Sequence, residues 1–250
     1  MLRWLERSLT YCPDSAVHAN LDRFSLDRRV IDLSNEQTVD VRFKRASSPF
    51  VILFSHGNRA NLTFYSWFYE LFERLGCSYV TYDYPGYGAS RGIPSEASIY
   101  EAIDAVYDIS LREFAVSGAS IVHFGLSLGG TAAIELSTHK PCAGLILEAT
   151  LSCTHDIGRM VMRGLPLYRL LPNRFRSIEK VGRISAPKLF IHGTKDPTIP
   201  YLCSRKLYEA SPEPRFFLTV DGAAHNDVGI VGGAQYYEAL QEFLSSLPIP

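Results

Sequence analysis

This sequence predicts an α/β fold on a mostly parallel sheet, and three observations carry the prediction. Short continuous apolar runs alternate with longer stretches of helical periodicity, reactive side chains follow the ends of several runs, and no repeat or Pro/Gly/Ser-rich linker divides the chain. Parallel neighbours need crossover connections, and right-handed crossovers put helices on both faces of the sheet. Ligands of such folds bind beyond the carboxyl ends of the strands. The expectation is one domain over residues 1–250.

Composition sets the outer bounds. With 250 residues, 46% of them apolar and 20% charged, the chain is long enough for a large core and too apolar for disorder. Lys and Arg number 25 against 26 Asp and Glu, a net charge of −1, so no overall field gathers nucleic acid or an anionic membrane. The five cysteines are scattered, with no metal-ligand spacing, and read as reduced thiols of a cytoplasmic protein. No apolar run approaches a membrane span. Met1 to Leu9 places Leu2, Leu5 and Leu9 at helical spacing among Arg3, Glu6 and Arg7. That segment is expected to pack on its own domain or a partner, with weak membrane-surface contact as the alternative.

The elements follow in order. Residues 29–32 and 38–43 flank Ser34-Asn35-Glu36-Gln37 and suit a hairpin. Residues 51–54, 79–82, 120–124, 143–147, 188–191 and 215–220 are apolar runs too short for helices and mostly continuous, as buried strands are. Leu62, Tyr65, Phe68, Phe72 and Leu75 recur at helical spacing and stop at Gly76. Ser98 and Glu101 have capping-box spacing, with Ile99, Ile103, Val106 and Ile109 on one face of the helix they open.

Three strand ends carry reactive residues. The run 120–124 leads into Gly125-Leu126-Ser127-Leu128-Gly129, a G-x-S-x-G sequence placed before a helical stretch. A tight strand-to-helix reversal exposes the Ser127 hydroxyl and needs glycine on either side, and the helix aims free N–H groups at the same spot. A serine hydroxyl needs a base to take its proton and a carboxylate to orient that base. Asp196 follows the run 188–191 and His225 follows 215–220, in the chain order Ser, Asp, His. The plainer readings are a turn-capping Asp196 and a surface His225. Glu148, past 143–147, is the competing carboxylate, and His123, His139 and His192 read as structural. After the first buried run comes Ser55-His56-Gly57-Asn58-Arg59, where the amides of Asn58 and Leu128 are the candidate oxyanion donors and His56 a brace. The alternative there is an ordinary βα turn.

These segments, with Asp83-Tyr84-Pro85-Gly86-Tyr87-Gly88-Ala89-Ser90, Gly193-Thr194-Lys195-Asp196 and Gly222-Ala223-Ala224-His225, resemble the ordered motifs of the α/β-hydrolase superfamily in its serine-hydrolase branch. The resemblance runs from about residue 27 to the end and is strongest to short-lid hydrolase-domain proteins and esterases. It implies an α/β-hydrolase fold with an eight-strand sheet, a triad of Ser127, Asp196 and His225, and no cofactor. Serine rather than aspartate at the elbow speaks against dehalogenases and epoxide hydrolases. Arg59 departs from the small residue often found there; it either charges the pocket rim or points to water.

Residues 153–185 form a short insertion where this superfamily carries its lid. Met160, Met162 and Leu165 are its candidate substrate contacts, with Arg59 at the rim, and its excess of Arg and Lys reads first as a solvated face. The expected activity is hydrolysis of small or medium acyl esters through an acyl-enzyme. Thioesters or lipid esters at a membrane surface, peptide hydrolysis, and a non-catalytic binding protein remain alternatives. No metal site is expected.

Overall fold

The computed structural model describes residues 10–162, 166–170 and 172–249. The Met1 to Leu9 segment lies outside them. The strands are β1 (Cys12–Pro13), β2 (Asp27–Asp32), β3 (Thr38–Lys44), β4 (Val51–Ser55), β5 (Arg59–Ala60), β6 (Ser78–Tyr82), β7 (Ile121–Leu126), β8 (Gly144–Glu148), β9 (Lys188–Gly193) and β10 (Arg215–Val220). The α-helices are α1 (Ser66–Arg74), α2 (Glu96–Phe114), α3 (Leu128–Ser137), α4 (Thr154–Val161), α5 (Tyr201–Ala210) and α6 (Val228–Ser246).

Eight strands form one sheet in the order β10-β9-β8-β7-β4-β6-β3-β2. Only the β2–β3 and β3–β6 pairings are antiparallel, so the expected mostly parallel eight-strand sheet is present, with the hairpin at one edge. Every residue of β4, β6, β7, β8 and β9 is buried, which explains their unbroken apolar runs: both faces are covered. The edge strand β2 is charged and largely exposed, a composition that discourages further pairing.

Helices α1 and α6 cover one face, packing Phe68, Phe72, Leu240 and Phe243 against Phe54, Phe124 and Ile146. The Phe54 ring lies 4.6 Å from Phe68 and 5.6 Å from Phe124, centroid to centroid. Helices α2, α3 and α5 cover the other face through Ile103, Val106, Ala132 and Leu207. Burial of this aromatic and aliphatic surface is the main source of stability, at about 25 cal/mol per Å² of apolar area.

One helix start differs from the sequence expectation. Helix α2 begins at Glu96, capped by Ser95, with Ser98 returning the bond as the third helical residue. Serine replaces glutamate in the reciprocal box because the Ser98 hydroxyl reaches the Ser95 N–H at 2.9 Å. The helix therefore starts a turn earlier than the Ser98–Glu101 spacing suggests.

Candidate active site

The site assembles because β4, β7, β8, β9 and β10 run parallel and release their following residues along one edge of the sheet. At the end of β7 the chain reverses into α3 through Ser127, whose φ of 54° and ψ of −114° are a strained conformation for a residue with a side chain. Surrounding structure enforces it. The Ser127 N–H donates to the Glu148 carbonyl at 2.8 Å. A Cβ at Gly125 would meet Gly130 Cα at 2.3 Å, and one at Gly129 would meet the Ser55 carbonyl oxygen at 1.9 Å, so only glycine lets strand and helix approach this closely.

His225, in the loop between β10 and α6, faces Ser127 and Asp196 together. Its Nδ1 lies 2.7 Å from Asp196 Oδ2 and its Nε2 3.2 Å from Ser127 Oγ. A carboxylate accepts only, so the neutral ring carries its proton on Nδ1 and presents the Nε2 lone pair to the serine hydroxyl. The Asp196 side chain is fully buried, whereas the His225 side chain stays 12% exposed. Burial pushes the Asp196 carboxyl up, but hydrogen bonds with His192 and His225 outweigh burial and hold it well below the usual carboxylate range. Its other oxygen accepts the N–H groups of Thr198 and Ile199, both at 2.8 Å. The turn-capping reading and the base-orienting reading of Asp196 thus describe two oxygens of one carboxylate.

His192 does more than fill the sheet. Its Nε2 lies 3.0 Å from the Ile199 carbonyl and 3.2 Å from Asp196 Oδ2, while Nδ1 lies 2.6 Å from Ser204 Oγ. Two acceptors at Nε2 require the proton there, so His192 holds the same Asp196 oxygen that His225 Nδ1 meets. His192 lies in β9, where every residue is buried, and nothing in the sequence shows which carboxylate it meets.

Glu148, the competing carboxylate, points elsewhere. It is buried and accepts the Tyr236 hydroxyl at 2.6 Å. Burial pushes its carboxyl up to about 7, partly offset by the Tyr236 bond and the charge of His225. His123 is fully buried against Ser137 at 2.7 Å and is depressed by burial to about 3, and His139 pairs with Asp104 at 2.8 Å. Both are structural, as their sequence positions suggest.

The loop after β4 lies beside the serine: a Cβ at Gly57 would stand 3.7 Å from Ser127 Cβ. His56 braces this loop, its Nδ1–H donating to the Gly57 carbonyl at 2.7 Å and its ring stacked 5.3 Å from Tyr65. Tyr65 donates to the Arg59 carbonyl at 2.8 Å. Asn58 follows Gly57 in this loop, while the Leu128 amide opens α3, where N–H groups lack intrahelical acceptors.

The substrate-side candidates are less complete. Arg59 is exposed in β5, which pairs with β1. Met162 is half-buried just past α4, whereas the Met160 side chain and Leu165 lie outside the described residues. Part of the basic character of the insertion is neutralised by partners: Arg176 pairs with Glu179, and Lys180 with Glu135 at 2.6 Å. Among the described residues no group of three His, Cys, Asp or Glu side chains is arranged to hold a metal ion.

The arrangement sets an imidazole beside a serine hydroxyl and a carboxylate beside the imidazole, a set able to deprotonate the hydroxyl and hold the resulting imidazolium. Comparison with known proteins agrees with that chemistry at the level of family. The profile of the alpha/beta hydrolase family matches residues 52–217. Alpha/beta hydrolase domain-containing protein 17C of Mus musculus is 35% identical over 200 residues, 80% of this chain and 61% of that protein. The 17B protein of Homo sapiens is 33% identical over 200 residues, covering 80% and 67%. The chain thus spans 61% of the length of the mouse relative. Among solved structures, the Pyrococcus furiosus esterase Pf2001 superposes with a TM-score of 0.77 at 17% identity, covering 94% of this chain and 99% of that one. The Rhodococcus esterase RhEst1 superposes with a TM-score of 0.67 at 17% identity, covering 90% and 100%. The matched profile, the relatives and the sheet order lead to one conclusion: this chain belongs to the α/β-hydrolase family.

Proposed function

We propose that the chain is a serine hydrolase that cleaves carboxylic esters through an acyl-enzyme on Ser127. The observation that carries this reading is the continuous path from Asp196 through His225 to Ser127, at 2.7 and 3.2 Å, ending on a strained elbow. His225 Nε2 takes the hydroxyl proton as Ser127 Oγ attacks the ester carbonyl. Asp196 holds the imidazolium that forms. The Asn58 and Leu128 amides stabilise the oxyanion, and collapse of the tetrahedral adduct expels the alcohol, which receives its proton from His225. Water then attacks the acyl group, with His225 as base again, and releases the acid.

The short lid over 153–185 favours small or medium acyl chains, with Met162 among the candidate contacts and Arg59 charging the entrance. Two of the proteins that share the fold are named esterases, which is in keeping with an ester substrate. The five free thiols support a reducing, cytoplasmic setting. No helix among the described residues is long and apolar enough to cross a membrane.

The test is a hydrolysis panel of p-nitrophenyl esters from acetate to palmitate, run beside acyl thioesters and peptides. The reading expects the highest kcat/KM on the short and medium oxygen esters. Turnover confined to thioesters, long-chain esters or peptides would move the assignment to that class, and tight ester binding without turnover would favour a binding protein.

A further inference from the structure

The motif Asp83 to Ser90 performs no step in the mechanism above, yet its turn is built tightly. Gly86 and Gly88 adopt φ of 87° and 51°, and a Cβ at Gly88 would lie 1.9 Å from Asp83 Oδ2. The Ser90 hydroxyl donates to the Asp83 carbonyl at 2.7 Å, and the Tyr87 N–H to the Tyr84 carbonyl at 2.9 Å. The result is a fully buried Tyr87 ring beside His56, at 5.7 Å between centroids, with the phenol O–H donating to Asn58 Oδ1 at 2.7 Å. Burial pushes this phenol far above the ordinary tyrosine range, so it remains a donor throughout the working pH range.

The N-terminal strap reaches the same side chain from the other direction. Asn58 Nδ2 donates to the Thr10 carbonyl at 2.7 Å, and the Cys12 N–H approaches Asn58 Oδ1 at 3.4 Å. The strap is itself fastened. Strand β1 pairs with β5, the Gly88 N–H donates to the Asp14 carbonyl at 3.0 Å, and Asn61 Nδ2 donates to the Asp14 and Ala16 carbonyls at 2.8 Å. Both lone pairs of the Asn58 amide oxygen are thereby engaged, along with one of its N–H groups. Little of this side chain is left for a substrate.

We infer that the Asn58 side chain is a positioning device, clamped between the Tyr87 hydroxyl and the 10–14 strap so that the Asn58 backbone N–H is fixed toward the oxyanion. The inference rests on the reading of Ser127 as the nucleophile. It assigns Tyr87, and through it the tyrosine-glycine turn, a role in transition-state stabilisation without substrate contact. A preorganised donor spares the reaction the reorientation that a free loop would need.

The test uses the full chain and p-nitrophenyl butyrate. Tyr87→Phe removes one oxygen and keeps the ring; Asn58→Ala removes the clamp and keeps the backbone N–H. Each should lower kcat by about 10- to 100-fold with KM within about twofold, and weaken a trifluoromethyl ketone that forms a tetrahedral adduct by the same factor. The double variant should be no slower than Asn58→Ala alone, because Tyr87 acts through Asn58. Unchanged kcat in both single variants, equal losses in kcat and in ground-state binding, or multiplicative losses in the double variant would overturn the inference while leaving the hydrolase reading intact. A wild-type chain that neither turns over esters nor is labelled at Ser127 by a fluorophosphonate would instead remove the hydrolase reading, and the inference with it.

Discussion

Glu148 and Tyr236 meet in a 2.6 Å hydrogen bond at the strand end that holds the Ser127 turn. The Glu148 carbonyl holds the Ser127 N–H, and Tyr236 lies on α6, the helix that follows His225. Burial raises the Glu148 carboxyl from 4.5 to about 7, against the opposing effects of the Tyr236 bond and the His225 charge. The folded chain therefore binds more protons than the unfolded chain between these two values. Stability supplied by the neutral carboxyl is complete below pH 4.5 and is lost as pH rises through about 7. The loss is on the order of 3 kcal/mol, from 1.36 kcal/mol per unit. In urea denaturation from pH 4.5 to 8, Glu148→Gln should gain about that much relative to the wild type. Parallel curves would refute the buried neutral carboxyl.

Asp196 behaves with the opposite sign. Burial opposes its charge, but its bonds with His192 and His225 hold the folded value below the ordinary 3.8. It contributes stability above that pH, and the contribution fades as pH falls. Asp196→Asn should flatten the acid limb of a Tm-against-pH plot. It should also lower kcat by about 10³- to 10⁴-fold, since an amide can donate to Nδ1 and leave His225 in the wrong tautomer. His192→Gln should cost about tenfold in kcat through loosened Asp196 alone. Full activity in Asp196→Asn would place the orienting carboxylate elsewhere, and Glu148 would be the next residue to substitute.

Two glycines should differ sharply. At Gly129 a Cβ collides with the Ser55 and His56 carbonyl groups, at 1.9 to 2.6 Å, and backbone at the end of β4 cannot move aside. At Gly76 nothing lies within 4 Å, and only φ of 69° opposes a side chain. Gly76→Ala should lose about 1–2 kcal/mol and a few degrees of Tm. Gly129→Ala should lose more than about 4 kcal/mol or fail to fold. Similar Tm values for the two, measured by circular dichroism, would contradict the close approach of α3 to β4.

Much of the site was legible because parallel topology turns sequence order into spatial order. Ser127, Asp196 and His225 each follow an apolar run within a few residues, so recognising the runs as strands brought them to one edge. The bond between Tyr87 and Asn58 was not legible. Twenty-nine residues separate them, and neither periodicity nor spacing encodes a side-chain contact made by two loops. His192 had the same difficulty: it reads as a structural histidine at the end of a strand, but its contact with Asp196 depends on how the chain turns at Pro197. Ser98 suits a cap because Ser-x-x-Glu has the right spacing, whereas Ser95-x-x-Ser98 forms the reciprocal bonds one turn earlier.

The most direct measurement is mass spectrometry of the 250-residue chain after treatment with a fluorophosphonate probe. The account predicts a single adduct, mapped to the peptide containing Ser127, absent in Ser127→Ala and strongly slowed in His225→Ala. An adduct that persists at full rate in Ser127→Ala, or a wild-type chain that acquires none, would contradict it.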